Sequence, residues 1–431
     1  MSKVLIIGNG GREHALGWDF KKDSDVELIF YAPGNGGTNS SRGVNINIDG
    51  TKKDNFPKLL EFTKKEGVDL VVVGPEAPLN DGIVDYFNSN GYFGIFGPTK
   101  NQTRIESDKF YSYDLMQKLG ILQARSIKCS GLEDGLDAID RFSGSVVLKH
   151  RWLAEGKGVR VYDSKNDARR DIKNFLNSFP GDFLVADRLY GEEFSFFGLV
   201  DGDIFLPINL AIQDHKRVND GDKGLNTGGM GAYAPAPVAS IEDLEHITNE
   251  IMSPVVKETG YKGFLYAGMM KSKTGDLKVI EFNCRLGDPE TQAMVMMLEN
   301  GLYRPVLNSI EGRLNPYYGI KIKKGASCCV VLTSQGYPGS YKKGLPINGI
   351  LEAEALQEDT MVFHSGTKLN DKEEVITNGG RVLGVTSYSP LGIRNVKAKT
   401  YSAVNLIDNA TPEVFHFRKD ISDKALKYLG N

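Results

Sequence analysis

The run VIEFNCRLGDPET at residues 279–291 carries the strongest chemical signal in the chain. On a β-strand, residues two apart point the same way. Glu281, Asn283 and Arg285 would then line one face, with Ile280, Phe282 and Cys284 packed on the other. A carboxylate, an amide oxygen and a guanidinium in a row suit a hard divalent cation and the phosphates bound to it. The plain alternative is a polar stripe facing solvent. The glycine-bearing loop directly behind the strand argues against it.

Three glycine-rich loops accompany this strand. LAEGKGV, at residues 153–159, follows a strand that carries Lys149. Its glycines let backbone amides approach phosphate oxygens, and Lys149 and Lys157 add positive charge. The spacing is not GxxxxGK[ST], so a P-loop is excluded. A cover over a triphosphate and a plain hairpin both remain open. QDHKR, at residues 213–217, includes Asp214 and Lys216 and precedes NTGGMGAY at 226–233. So many glycines beside charged residues imply backbone held close to a small polar ligand, since long idle loops are uncommon in compact domains. GNGGREHA, at residues 8–15, sits after a strand and before a helix. There a helix start offers N–H groups and positive potential to an anion. It is no dinucleotide fingerprint, because Glu13 stands where the third glycine belongs and no acidic residue ends the second strand. A tight structural turn is an equal reading of that loop.

The elements that must hold these residues alternate in the first hundred positions. Strands are expected at 4–7, 28–31, 69–73 and 92–96, with a helix at 13–20. Nearly continuous apolar strands with helices between them mean a parallel sheet covered on both faces. Its ligands lie beyond the strand carboxyl ends, where the Gly, Pro, Asn and Glu clusters fall. A helix is expected at 107–119, capped by Ser107 and stopped by Gly120, with Phe110, Tyr113, Met116 and Leu119 on one face. Strands at 146–149, 159–162 and 183–186 belong to a compact α+β stretch. A larger α+β unit follows. The last part opens with a strand at 326–332, then a hairpin of 374–377 with 381–386 around Asn378, Gly379 and Gly380. A final helix puts Ile393, Val396, Tyr401 and Val404 on one side.

Composition narrows the class. The chain has 431 residues, 40 % hydrophobic and 25 % charged, which is the balance of a globular protein of about three domains. With 52 basic and 55 acidic residues the net charge is −3, and no basic surplus points to nucleic acid or an acidic membrane. The start lacks a signal-peptide pattern, and no stretch nears the roughly 18 apolar residues of a membrane span. Four cysteines form no CxxC pair and six histidines complete no zinc pattern, so a reducing cytoplasm and buried thiols are expected.

Taken in order, GNGGREHAL, APGN, VVGPEAPL, FGPT, QDHKR, NTGGMGAY, GFLYAG, VIEFNCRLGDPETQ, FHSGTK and TNGGRVLGVT cover residues 3 to about 386. Together they resemble the phosphoribosylamine–glycine ligase (glycinamide ribonucleotide synthetase) family of the ATP-grasp superfamily. The resemblance implies an α/β and α+β multidomain fold. A doubly wound N-terminal domain would occupy 1–105 and an ATP-grasp region 106–312, with its lid at about 121–190 and its central domain at about 191–312. A mixed α/β domain would span 320–431. It further implies ATP-dependent joining of glycine to 5-phosphoribosylamine through glycyl phosphate, with Mg2+ or Mn2+, in a monomer or small homo-oligomer.

By the same resemblance Lys109, Lys149 and Lys157 approach ATP phosphates, and Glu192 or Glu193 holds the ribose. Glu281 and Asn283 bind metal, and Arg285, Asp214 and Lys216 serve the reaction. Gly10, Gly11, Arg12, Glu13 and His14 meet the phosphosugar, while Arg285 and the loop of Asn226, Thr227, Gly228, Gly229, Met230 and Gly231 face the phosphates and glycine. The sequence departs from the family run at Arg151, Trp152 and Glu155 in the lid, at Ala186, Asp187 and Arg188 in the adenine hinge, and at Asp108. Those changes would bear on ATP affinity and lid closure. A ligase for a different amine and a nucleotide-binding relative with weakened catalysis are the competing readings.

Overall fold

The computed structural model describes residues 1–154, 157–356 and 358–429. Its first sheet has five parallel strands in the order Gly43–Asn45, Val26–Pro33, Ser2–Gly8, Leu70–Val73 and Ile95–Phe96. Val4, Leu5, Ile6 and Ile7 are fully buried because helices cover both faces of this central strand. At the carboxyl edge of the sheet, Ser2–Gly8 turns into helix Gly11–Phe20 and Leu70–Val73 turns into Gly74 and Glu76.

A second, antiparallel sheet runs Ser126–Cys129, Phe183–Asp187, Val146–His150, Val159–Tyr162. It builds its own core with helices Leu132–Asp140 and Lys165–Ser178, centred on Ile139, Phe142, Leu148, Phe175 and Phe183. Being packed separately, this unit is attached to the rest mainly through its rim.

The third sheet is the largest, with nine strands. From one edge it runs Leu277–Asn283, Lys262–Lys271, Glu192–Asp201, Phe205–Asp214, Gly231–Ala234, Ala326–Ser334, Arg381–Ser389 and Thr360–His364, with Phe415–His416 paired to Ala326–Ser334. It therefore continues without a break across residue 320, through the pairing of Gly231–Ala234 with Ala326–Ser334. Helix Glu290–Met297, buried at every position, lies between this sheet and helix Gly11–Phe20. All four cysteines are free and buried. Among the described residues no helix is long and apolar enough to cross a membrane.

Three local expectations are corrected. The helix expected at 107–119 is two helices, Arg104–Ser107 and Lys109–Lys118, separated by an extended Asp108. Asp108, not Ser107, is the cap, accepting hydrogen bonds from the amides of Phe110 and Tyr111. The buried face is accordingly Ser112, Leu115 and Met116. Phe110 instead lies under the cations of Arg151 and Lys128. The expected hairpin at 374–386 does not form. Val375–Thr377 pairs with Thr367–Leu369, while Arg381–Ser389 joins the large sheet. Gly379 serves a close backbone crossing, since a Cβ there would lie 2.8 Å from the Gly366 Cα. The strand expected at 92–96 shrinks to Ile95–Phe96.

A buried guanidinium ties the tail of the chain to the centre. Arg418, 1 % exposed, pairs with Asp420 at 2.7 Å and Asp222 at 2.9 Å, and donates to the Arg217 carbonyl at 3.1 Å. Asp420 also accepts from the Gly221 amide at 2.8 Å. Burial alone would raise the Asp420 carboxyl, but hydrogen bonds from Arg418 and Gly221 hold it well below the usual carboxylate range. A carboxylate depressed in the folded state contributes stability that is full above about pH 4 and is lost as pH falls through the folded value. Arg418→Met should cost roughly 2 to 3 kcal/mol at pH 7, less than a fully buried pair because both aspartates reach water. The gap between variant and wild type should narrow in acid, which urea unfolding at pH 7 and pH 3 measures.

Candidate active site

Five charged side chains from five segments meet where the small antiparallel sheet faces the large one. Lys109 opens helix Lys109–Lys118, and Lys149 sits near the end of strand Val146–His150. Lys216 follows strand Phe205–Asp214, Glu193 begins strand Glu192–Asp201, and Glu281 lies in Leu277–Asn283. Lys216 Nζ is 3.0 Å from Glu193 Oε2. A pocket there is lined by Glu193, Ser195, Asp214, Lys216, Tyr266 and Glu281. Ser195 Oγ stands 2.9 Å from Tyr266 Oη and 3.0 Å from the buried Glu290 carboxylate.

Charge governs this pocket. Desolvation would raise the Glu281 carboxyl, but Lys216, Lys109, Lys149 and Arg285 together bring it below its ordinary value. Desolvation lowers Lys109 against the pull of Glu281, and it lowers Lys149, which Lys109 lowers further. Lys216 is held well above the usual lysine value, chiefly by Glu193. Three ammonium groups thus face two carboxylates, which leaves a positive surplus suited to a polyanion.

The metal-type strand is built differently from simple alternation. Gly268 pairs with Glu281 and Met269 with Val279, so Ile280 is an extra residue, a bulge. The bulge turns Ile280 into the pocket wall beside Glu281, correcting the expectation that it packs away. Asn283 shares the Glu281 side by register and is 5 % exposed. Among the described residues no three His, Cys, Asp or Glu side chains cluster as a metal site. Magnesium takes one or two protein oxygens and completes its shell with phosphate and water. An ionised Glu281 with Asn283 fits that need.

Arg285 is corrected too. It lies past the strand end, with Nε 3.1 Å from Glu76 Oε2 and Nη2 3.2 Å from Glu106 Oε1. It therefore joins the N-terminal sheet to the pocket strand, and its charge is already answered by two carboxylates. Glu106 also accepts from the Cys284 amide at 2.7 Å. Neither acid was singled out from sequence, because their partner lies 209 and 179 positions away.

Glu192 and Glu193, adjacent on a strand, face opposite sides. Glu193 lines the pocket, while Glu192 stands near Tyr233 and Tyr428. Lys157 is described and exposed, but Glu155 lies outside the described residues. At the hinge Ala186 is fully buried, Asp187 pairs with Arg125 at 3.3 Å and Arg188 pairs with Asp163.

The second half of the site is a junction of all three parts of the chain. Asp288 Oδ2 accepts from the Arg12 amide at 3.4 Å, and Gln292 Nε2 donates to Asp288 Oδ1 at 2.8 Å. Arg381 Nη1 is 3.4 Å from Asp288 Oδ1 and donates to the Gly228 carbonyl at 2.6 Å. A Cβ on Gly11 would lie 2.4 Å from Gln292 Nε2 and 2.6 Å from Ser365 Oγ. At Gly229, φ is +117°, and a Cβ would meet Pro289 at 2.5 Å and Asp214 at 2.9 Å, so only glycine suits the position. Asp214 Oδ1 and Gln292 Oε1 are buried without partners among the described residues. Burial, then Glu290, raise the Asp214 carboxyl well above its usual value. Asp288, Glu290, Gln292 and Arg381 were not singled out from sequence, although all stand in motifs that signalled the site.

The other residues expected at the substrates make these contacts within the fold. Glu13, 2 % exposed, accepts from the Gly10 amide at 2.7 Å, so the helix start is capped by its own carboxylate. Arg12, also buried, pairs with Glu13 at 2.5 Å and donates to the Leu286 carbonyl at 3.0 Å. The His14 ring packs against Phe363 and accepts from the His364 amide at 2.9 Å. Burial and His364 push its pKa far down, which keeps it neutral. Asn226 is exposed at a strand end, paired with Arg217. Thr227 donates to the Lys216 carbonyl and accepts from the Gly229 amide, setting the loop's shape. Met230 is fully buried, and Gly231 starts a buried strand against Cys329, so these two pack rather than present themselves.

Family models for phosphoribosylglycinamide synthetase match in three pieces: the N domain at residues 2–106, the ATP-grasp (A) domain at 107–291 and the C domain at 327–424. A phosphoribosylamine–glycine ligase of Nostoc sp. is 40 % identical over 97 % of this chain and 98 % of its own length. One from Escherichia coli K12 is 41 % identical over 99 % of both. The crystal structure of a phosphoribosylamine–glycine ligase from Thermotoga maritima superposes with a TM-score of 0.81 at 31 % identity, covering 97 % of this chain and 99 % of the other. A biotin carboxylase domain from Hydrogenobacter thermophilus shares the fold alone, with a TM-score of 0.71 at 15 % identity over 94 % of this chain and 89 % of its own. A similarity this high, sustained along nearly the full length and matched by three successive family models, makes the chain a member of the phosphoribosylglycinamide synthetase family.

Proposed function

We propose that this enzyme joins glycine to 5-phosphoribosylamine at the expense of ATP, yielding glycinamide ribonucleotide, ADP and phosphate in purine biosynthesis. One observation carries the reading: Lys109, Lys149 and Lys216 converge beside an ionised Glu281. Family membership supplies the substrates.

A carboxylate resists displacement because oxide would have to leave. Transfer of the γ-phosphoryl group of ATP to glycine gives glycyl phosphate and ADP. The amine nitrogen of the phosphosugar then attacks the acyl carbon, the carbon–oxygen bond to phosphate breaks, and the nitrogen releases a proton. Catalysis of this kind is mostly positioning and charge compensation. Lys109 and Lys149 hold phosphate oxygens from the lid side, and Lys216 holds them from the large sheet. Glu281 and Asn283 would hold magnesium or manganese, which would offset charge on the phosphates. Glu193, paired with Lys216 at the pocket, takes the ribose hydroxyls in this reading. The Gly229 loop, Asp214, Asp288 and Arg381 surround the acceptor side, where burial excludes water that would hydrolyse an acyl phosphate. The small antiparallel sheet acts as the lid of an ATP-grasp region. Four buried free thiols fit a reducing cytoplasm.

Glu281→Gln should lower ADP release with both substrates by at least about a hundredfold while the melting temperature holds, because charge stabilisation in the phosphoryl-transfer step is lost. Near-normal turnover would remove the metal assignment. Lys149 has a lowered pKa, so its charge is lost earlier than an ordinary lysine's as pH rises. KM for ATP should therefore climb toward pH 10 in the wild type and climb less steeply in Lys149→Arg, where Lys109 still loses its charge early. Parallel curves would sink the phosphate role of Lys149.

A further inference from the structure

Where the small sheet meets the helix of Lys109 there is an ion cluster that phosphate binding does not use. Arg151 Nε stands 2.9 Å from Asp108 Oδ1 and Nη2 stands 2.9 Å from Asp108 Oδ2, a two-pronged pairing. Its Nη1 donates to Asp182 Oδ2 at 2.8 Å, and its amide donates to the Asp182 carbonyl at 3.0 Å. One guanidinium thus links the cap of helix Lys109–Lys118 to the exit of strand Val146–His150 and the entrance of strand Phe183–Asp187. The rings of Phe110 and Trp152 lie 4.7 and 4.2 Å from it.

The backbone repeats the connection. The Lys109 amide donates to the Arg151 carbonyl at 3.0 Å, and residues 108 and 152 form an isolated antiparallel bridge. Lys109 Nζ donates to the Trp152 carbonyl at 3.4 Å. The Lys109 ammonium thus touches the residue that follows Arg151. Asp108 is 3 % exposed, so its pairing is little screened, and a bidentate charged pair holds angle as well as distance. Arg151 and Asp108 are both departures from the family run, yet their charges answer each other. Without such a clasp, Lys109 and Lys149, which repel one another, have reason to separate.

We propose that Asp108 and Arg151 are positioning residues for the nucleotide: their clasp holds Lys109 and Lys149 at the spacing that receives the phosphates, and so sets ATP affinity rather than the chemical rate. This rests on the assignment of Lys109 and Lys149 to the phosphates.

The test uses the full chain with MgATP as the probe, by calorimetry and steady-state kinetics, in Arg151→Met, Asp108→Asn, the double variant and Lys149→Met. Asn remains a good helix cap, so Asp108→Asn removes the charge and keeps the helix start. Each single variant should raise Kd and KM for ATP about tenfold, with kcat and KM for glycine within about twofold, and the double variant should be no worse than the singles. A merely structural clasp would lower the melting temperature and the active fraction without moving KM for ATP. That result, unchanged ATP affinity in both singles, or independent multiplication of the two effects in the double variant, overturns the proposal. If Lys149→Met binds ATP as tightly as wild type, the phosphate assignment itself fails. If Lys149→Met is weakened and Arg151→Met is not, the clasp alone is refuted.

Discussion

Three ammonium groups gathered in one partly desolvated cleft repel one another, and much of this architecture holds them there. Glu281 and Glu193 offset part of the charge. The remainder comes from covalent and packing constraints. Lys149 is fixed by a paired strand, Lys109 by the first turn of a capped helix, and Lys216 by the end of a ten-residue strand. Confining charge in this way costs stability, and the surplus is available to a ligand of opposite sign. The small sheet has its own core, so it can present Lys149 at the pocket without sharing the packing of the large one.

A second constraint is the seam between the N-terminal sheet and the large sheet. It is made of charges rather than of an apolar interface alone. Arg285 reaches Glu76 and Glu106, Arg12 reaches the Leu286 carbonyl, and Asp288 takes the Arg12 amide on one side and Arg381 on the other. Groups of this kind are directional, so a small shift of one part costs hydrogen bonds in the others. Of the residues expected to meet a phosphosugar, Arg12 and His14 also take part in this seam, and Glu13 holds Arg12. The surfaces left over set glycines at 10, 11, 228 and 229 close to Asp214, Asp288 and Gln292.

Legibility from sequence followed the range of the interaction. Strand Val159–Tyr162 was expected at its observed bounds, and the strands at 146 and 183 within one residue, because each is a short apolar run with close turn signals. The parallel N-terminal sheet was legible for the same reason. Lys109, Lys149, Lys216 and Glu281 were singled out, and they meet. Less legible were the helix start at 109 and the strand partners of residues 375–389. Asp108 displaced Ser107 as the cap because Arg151, far along the chain, holds it extended. Residues 375–377 and 381–389 found different partners because two glycines let the chain cross there.

The amino-acid order by itself determined the alternating parallel sheet, the presence of a metal-type strand beside glycine-rich loops, and which side chains could carry charge to a nucleotide. Those depend on period, turn chemistry and residue type, all local in the chain. Only the tertiary structure decided which of Glu192 and Glu193 faces the pocket, that a bulge turns Ile280 into its wall, that Arg285 is taken by two distant carboxylates, and that Asp108 answers Arg151. A bulge changes facing without leaving a mark in composition, and a buried charge takes whatever partner packing brings within reach, often hundreds of residues away.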